Sequence, residues 1–123
     1  MGKLYLNYMS NIGHSKGLKV SIARNTFDND LPYLDYIKLG LAPSNSTRIK
    51  YKSGEIDWAE FRQEYLKKLE SKPGMNALVW LIKTLEKIDV TVLCYCTPNK
   101  KCHRYILKEV IEKYGIEVIN IDN

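Results

Sequence analysis

Three cysteines, Cys94, Cys96 and Cys102, fall within nine residues in "VTVLCYCTPNKKCHRYILKEV" (residues 90–110), and His103 and Arg104 follow the third directly. Three kinds of chemistry use such side chains. A cysteine beside cationic groups is stabilised as a thiolate and can serve as a nucleophile or redox centre. Cysteines and a histidine together make a zinc-type ligand set. Buried cysteines also pack as small apolar residues, with histidine or arginine serving as a cap or ion-pair partner.

The placement of these residues follows from the elements around them. "VTVLCYC" (90–96) is a β-branched apolar run that reads as a buried strand, "TPNKK" as a loop, and "CHRYILKEVIEKY" (102–114) as an amphipathic helix ended by Gly115. "IEVINI" (116–121) reads as a last strand, completing a βαβ unit with parallel pairing. Residues 97–103 then lie at the carboxyl end of a strand and the amino end of a helix, where open α/β sheets place ligands and helix amides attract anions.

Cys102 near the helix cap, with Lys100, Lys101, His103 and Arg104 as neighbours, is on this reading the most reactive thiol. His103 is its candidate proton carrier, although adjacent helical residues point about 100° apart. Arg104 and Lys101 are expected to hold an anionic group. Cys94 and Cys96, two apart on one strand, share a face, and the spacing matches no common zinc finger or ribbon, so no metal or other cofactor is expected. A phosphatase loop is excluded: six residues after Cys96 stands Cys102, not arginine.

Upstream, "KLYLNYM" (3–9) and "LKVSIAR" (18–24) alternate as two further strands, joined by the turn "NIGHSKG" (11–17). His14 in that turn, between Gly13 and Gly17, is a candidate anion contact, or an exposed loop residue. Arg24 closes the second strand and is placed to meet Arg104 across a shared pocket; its bland role is an ion pair with Asp28 or Asp30. Residues 33–43 permit either a strand or a short helix. Ser44 or Ser46 begins a helix running toward Ser53 and Gly54. Asp57 with Glu60 approximates a capping box for a helix whose Trp58, Phe61, Tyr65 and Leu69 share a face. "SKPGMN" (71–76) breaks it, and a further helix follows.

These elements predict a single three-layer α/β domain over residues 1–123, with a predominantly parallel sheet and a C-terminal βαβ unit. The net charge of +5 mildly favours phosphate, nucleotide or nucleic acid as partner. With an odd cysteine count, no apolar run of spanning length and no leader in "MGKLYLNYMS", a cytoplasmic protein with free thiols and no membrane partner is expected.

The motif "VTVLCYCTPNKKCHRYIL" resembles the strand, loop and Cys-His-Arg helix start of the domain of unknown function 488 family, which includes YeaO-like proteins. "SIAR" (21–24), "LAPS" (41–44) and "YKSGEIDWAEFRQEYLKKL" (51–69) are similar to its archaeal branch. The resemblance implies a small α/β domain and brings no settled activity. It adds weight to Cys94, Cys102, His103, Arg104 and Arg24, and to Ser44. Cys96 lies where many relatives carry other residues, which counts against a metal site needing all three cysteines. The expectation is an enzyme acting on a phosphate-bearing or nucleotide-like substrate; the alternative is a non-catalytic nucleic-acid or protein-binding module.

Overall fold

A computed structural model describes residues 1–97 and 100–121. The described residues include five strands: β1 (Leu4–Tyr8), β2 (Leu18–Ser21), β3 (Tyr36–Ile37), β4 (Val90–Cys94) and β5 (Val118–Asn120). They form one all-parallel sheet in the order β3-β2-β4-β1-β5. Four helices complete the chain: α1 (Asn45–Lys52), α2 (Trp58–Glu70), α3 (Lys72–Leu85) and α4 (His103–Glu112). The expected α/β class and the strand–helix–strand unit at the C-terminal end are both present.

The two-residue period of the strands sorts their side chains. Leu4, Leu6, Val20, Ile22, Val90, Val92 and Cys94 join the apolar core with residues of α2, α3 and α4. Asn7 and Thr91 point to the other face, where they bind the 3-10 turn Met9–His14 and the residues after it: Asn7 Nδ2 donates to Asn11 O and Ser15 Oγ, and Thr91 bonds both backbone groups of Lys16. Helices α2, α3 and α4 thus pack on one face, α1 packs against α2, and the 3-10 turn Met9–His14 lies against the other face.

Local signals set the helix boundaries. Ser44 caps α1 through Thr47 N, and Asp57 and Glu60 form the capping box of α2. Ser71 closes α2 and caps α3, so the break at 71–76 is a shared cap with no linker. Gly54 and Gly115 follow α1 and α4 as stops.

Some expectations need correction. β2 ends at Ser21, so Arg24 stands in the bend beyond it. Residues 33–43 divide between two-residue β3 and a 3-10 turn at Leu39–Leu41. β4 ends at Cys94, which leaves Cys96 in a bend. The helix expected over 102–114 ends at Glu112, so Tyr114 lies beyond it and is exposed. The loop expected over 97–101 includes Pro98 and Asn99, which lie outside the described residues.

The amino end of the sheet is close-packed backbone. A Cβ on Gly2 would come within 2.0 Å of Ile88 O, and one on Gly17 within 2.0 Å of Asp89 O. Two glycines therefore flank the residues that lead into β4.

Asp57 satisfies the exposed first turn of α2 without contributing to the core. Asp57→Ala is expected to lower the unfolding free energy by about 1 kcal/mol, the usual cost of a lost N-cap. Urea denaturation should show a reduced midpoint with an unchanged slope.

Candidate functional site

The bend after β4 and the first turn of α4 bring five side chains together. Cys102 occupies the N-cap of α4 in extended conformation, and its side chain makes no capping bond. Its Sγ lies 2.9 Å from Cys94 Sγ. The sulfurs of Cys94, Cys96 and Cys102 are all within 4.8 Å of one another. Arg104, fully buried, donates through Nη1 to Cys94 Sγ at 2.6 Å and to Cys96 O at 2.8 Å, and its Nη2 reaches Tyr105 Oη at 3.2 Å.

His103 does meet Cys102, despite the angular separation of neighbours on a helix. Cys102 precedes the helical turns, and its extended backbone brings Sγ to 3.6 Å from His103 Nδ1. The other ring nitrogen, Nε2, lies 2.7 Å from Ile22 O. A carbonyl only accepts, so Nε2 carries the proton and Nδ1 is the free acceptor facing Cys102. Burial holds the imidazole neutral by drawing its pKa down to about 4, against the opposing effect of the Ile22 bond.

Cys96, and not the expected Cys102, is the acidic thiol. Burial, then hydrogen bonding to Cys94 and Cys96, pushes Cys102 well above the ordinary thiol range. Cys94 is pushed up to about 11: a hydrogen bond with Cys102 favours its thiolate, but the bond with Cys96 and burial outweigh it. Cys96 is drawn down to about 2 by hydrogen bonds from Cys102 and then Cys94, assisted by the charge of Arg104 and opposed by burial. The lowering thus falls on the half-buried sulfur and the raising on the two buried ones. Helix-end electrostatics favoured Cys102, but desolvation and two adjacent sulfurs overrule them. Arg104 remains a cation: burial opposes its charge, and the sulfurs of Cys94 and Cys102 more than offset that.

Above the sulfurs opens a cavity of about 650 Å³. It lies beyond the carboxyl ends of β2 and β4, where an open parallel sheet places ligands. Arg24, Arg48, Lys52 and Lys101 supply its cations, and Phe27, Tyr51, Trp58, Phe61 and Tyr95 its aromatic surface. Its lining, among the described residues, includes no carboxylate. Trp58 stacks on Phe61 at 5.0 Å, and Phe27 packs on Tyr95 at 4.7 Å. The Tyr95 hydroxyl donates to Asp30 and accepts from Phe27 N, which fixes the loop forming that wall.

Of the residues singled out in the sequence, Cys102, His103, Arg24 and Lys101 line the cavity. Arg104 does not: it is spent on the sulfurs and the Cys96 carbonyl beneath. His14 is exposed at the end of its 3-10 turn, away from the cavity lining. Ser44 caps α1, with its hydroxyl engaged by Thr47. Arg24 forms no ion pair with Asp28 or Asp30 among the described residues. Sequence reasoning missed Arg48, Lys52 and Tyr51, although their three- and four-residue spacing on a short helix marks one face. Trp58, read only as part of the apolar face of α2, also lines the cavity.

A parallel α/β domain with a cysteine–histidine–arginine cluster beneath a basic, aromatic cavity is the class that fold and site define. The chain belongs to the DUF488-N3a family, described as the active DUF488-N3 subclade, whose model matches residues 9–115. No curated protein and no solved structure matches it.

In reduced, metal-free protein, Cys96 is expected to be alkylated first, with Cys94 and Cys102 labelled only on unfolding. A thiolate pKa near 2 keeps Cys96 ionised throughout mildly acidic solution. Its rate should therefore hold as pH falls from 8 to 5, where an ordinary thiol slows about tenfold per pH unit. Peptide mass spectrometry over a pH series reads both effects.

Proposed function

We propose that this protein is an enzyme acting on a nucleotide-like, phosphate-bearing substrate held in the cavity above the sulfur cluster. The observation that carries the reading is the cavity lining: among the described residues, four cations, five aromatic rings and no carboxylate, opening onto Cys94, Cys96 and Cys102. Aromatic faces suit a planar base, and guanidinium groups suit phosphate oxygens. Arg48 adds a specific sign. Its Nε is buried and has no hydrogen-bond partner among the described residues, while its Nη2 reaches Asn45 Oδ1 at 3.2 Å. A buried donor without an acceptor is costly, and a bound anion would satisfy it.

In this reading Arg24, Arg48, Lys52 and Lys101 bind phosphate, Trp58 and Tyr51 receive the base, and the cysteine cluster with His103 lies at the reacting end. The word "active" in the family's description favours catalysis over a binding module using the same cleft.

Isothermal calorimetry with nucleoside mono- and diphosphates tests the reading. Saturable binding is expected, weakened roughly 10- to 100-fold in Arg48→Ala, the usual value of a hydrogen bond to a charged group. Cys96→Ser should keep binding and lose turnover, followed by product mass spectrometry. Absence of nucleotide binding, with tight and steeply salt-dependent binding of mixed DNA and RNA in wild type and Cys96→Ser alike, would establish the binding module instead.

A further inference from the structure

Thiol packing accounts poorly for the sulfur cluster. Two buried cysteines and a half-buried one converge within 4.8 Å of one another, and all three line the cavity. Cys94 and Cys96 do not share the one strand that their spacing had implied. β4 stops at Cys94, and the bend beyond it turns Cys96 toward the other two sulfurs. The third sulfur comes from the N-cap of α4, across the loop. Strand end, bend and helix cap therefore each contribute one soft ligand.

We propose that Cys94, Cys96 and Cys102 bind a single zinc ion whose remaining coordination position opens to the cavity. Thiolate sulfur is a preferred zinc ligand, and tetrahedral bonds of about 2.3 Å put neighbouring sulfurs about 3.8 Å apart. The observed cluster brackets that edge, with 2.9 Å between Cys94 and Cys102 and an outer bound of 4.8 Å. Binding opens the Cys94–Cys102 pair by about 1 Å, a side-chain rotation rather than a backbone change.

Charge agrees with the assignment. Three thiolates and one divalent ion leave a single negative charge, and Arg104 stands against it, with Nη1 2.6 Å from Cys94 Sγ and 3.7 Å from Cys102 Sγ. Donors of this kind to ligating atoms are the usual outer partners of a metal site. His103 Nδ1 approaches Cys102 but does not belong to the group of mutually close ligand atoms, so the fourth position is left to solvent or substrate. Three protein ligands and an open position are the pattern of catalytic rather than structural zinc. An ion there would act as a Lewis acid on an oxygen in the cavity.

The test uses the full chain, reduced and stripped with a chelator. Under anaerobic conditions it is titrated with zinc against a chromophoric chelator, and in parallel with cobalt(II). Expected are saturation at one metal per chain and an intense thiolate-to-cobalt charge-transfer absorption. Cys96 is partly exposed, so Cys96→Ser should fold, as circular dichroism will report. Its zinc affinity should fall by more than the roughly 10- to 100-fold that loss of an outer partner costs, and its charge-transfer band should weaken. No uptake by protein whose three thiols all react after unfolding would overturn the assignment. So would an unchanged affinity in folded Cys96→Ser, or isolation of the chain with a Cys94–Cys102 disulfide and no metal. Nucleotide calorimetry is a separate measurement, so either reading can fail without the other.

Discussion

A fully buried guanidinium sets the terms for this structure. An arginine removed from water is tolerated only when its donors are satisfied and its charge is opposed. Arg104 meets both conditions locally: a sulfur of β4, the carbonyl of the following bend and the hydroxyl of its own neighbour accept from it. Those bonds tie the end of β4 to the first turn of α4. The rest of α4 then lies over the sheet, with Ile106, Leu107 and Ile111 in the core, and delivers the chain to β5. Cys102 and His103 are held at the cavity floor because Arg104, two residues on, is anchored below it.

The cavity is a product of the same topology. Each crossover returns the chain to the amino end of a parallel strand, so every strand releases its outgoing loop at the same edge. The loop after β2 brings Arg24 and Phe27, and the bend after β4 brings the sulfurs. Helices α1 and α2 close the opposite wall with Arg48, Tyr51, Lys52 and Trp58. Positive side chains from distant parts of the sequence meet there, while some acidic residues pair elsewhere, as Glu64 does with Lys50 and Glu109 with Arg62. A modest net charge of +5 thus conceals a strongly basic pocket.

What the sequence disclosed was what short segments decide. The strand read over 90–96, which forms as far as Cys94, the capping pair Asp57 and Glu60, and Ser44, one of two serines that could begin α1, carry their structure in a few neighbouring residues. β3 was ambiguous because two residues pairing with β2 are held by that strand's ladder and not by their own composition. The acidity of the thiols failed for a related reason. Neighbours in sequence favoured Cys102, but Cys94 and Cys96 reach it only after folding, and burial is a property of the whole domain. Arg48 was invisible as a site residue until the cavity gave its helix face something to border.

The two glycines against the residues entering β4 give the molecule a division of labour. At that edge of the sheet the main chain itself fills the space, and any side chain at Gly2 or Gly17 would collide with it. Sequence drift there is penalised regardless of what the protein does. The opposite edge is lined by side chains of the bends after β2 and β4 and of α1, α2 and α4, and its chemistry is set by residues outside the strand ladder. Descendants of this fold can therefore diversify their chemistry at one edge while inheriting the other unchanged. In a directed-evolution library, variation confined to the loops after β2 and β4 would search new substrates at little risk to folding.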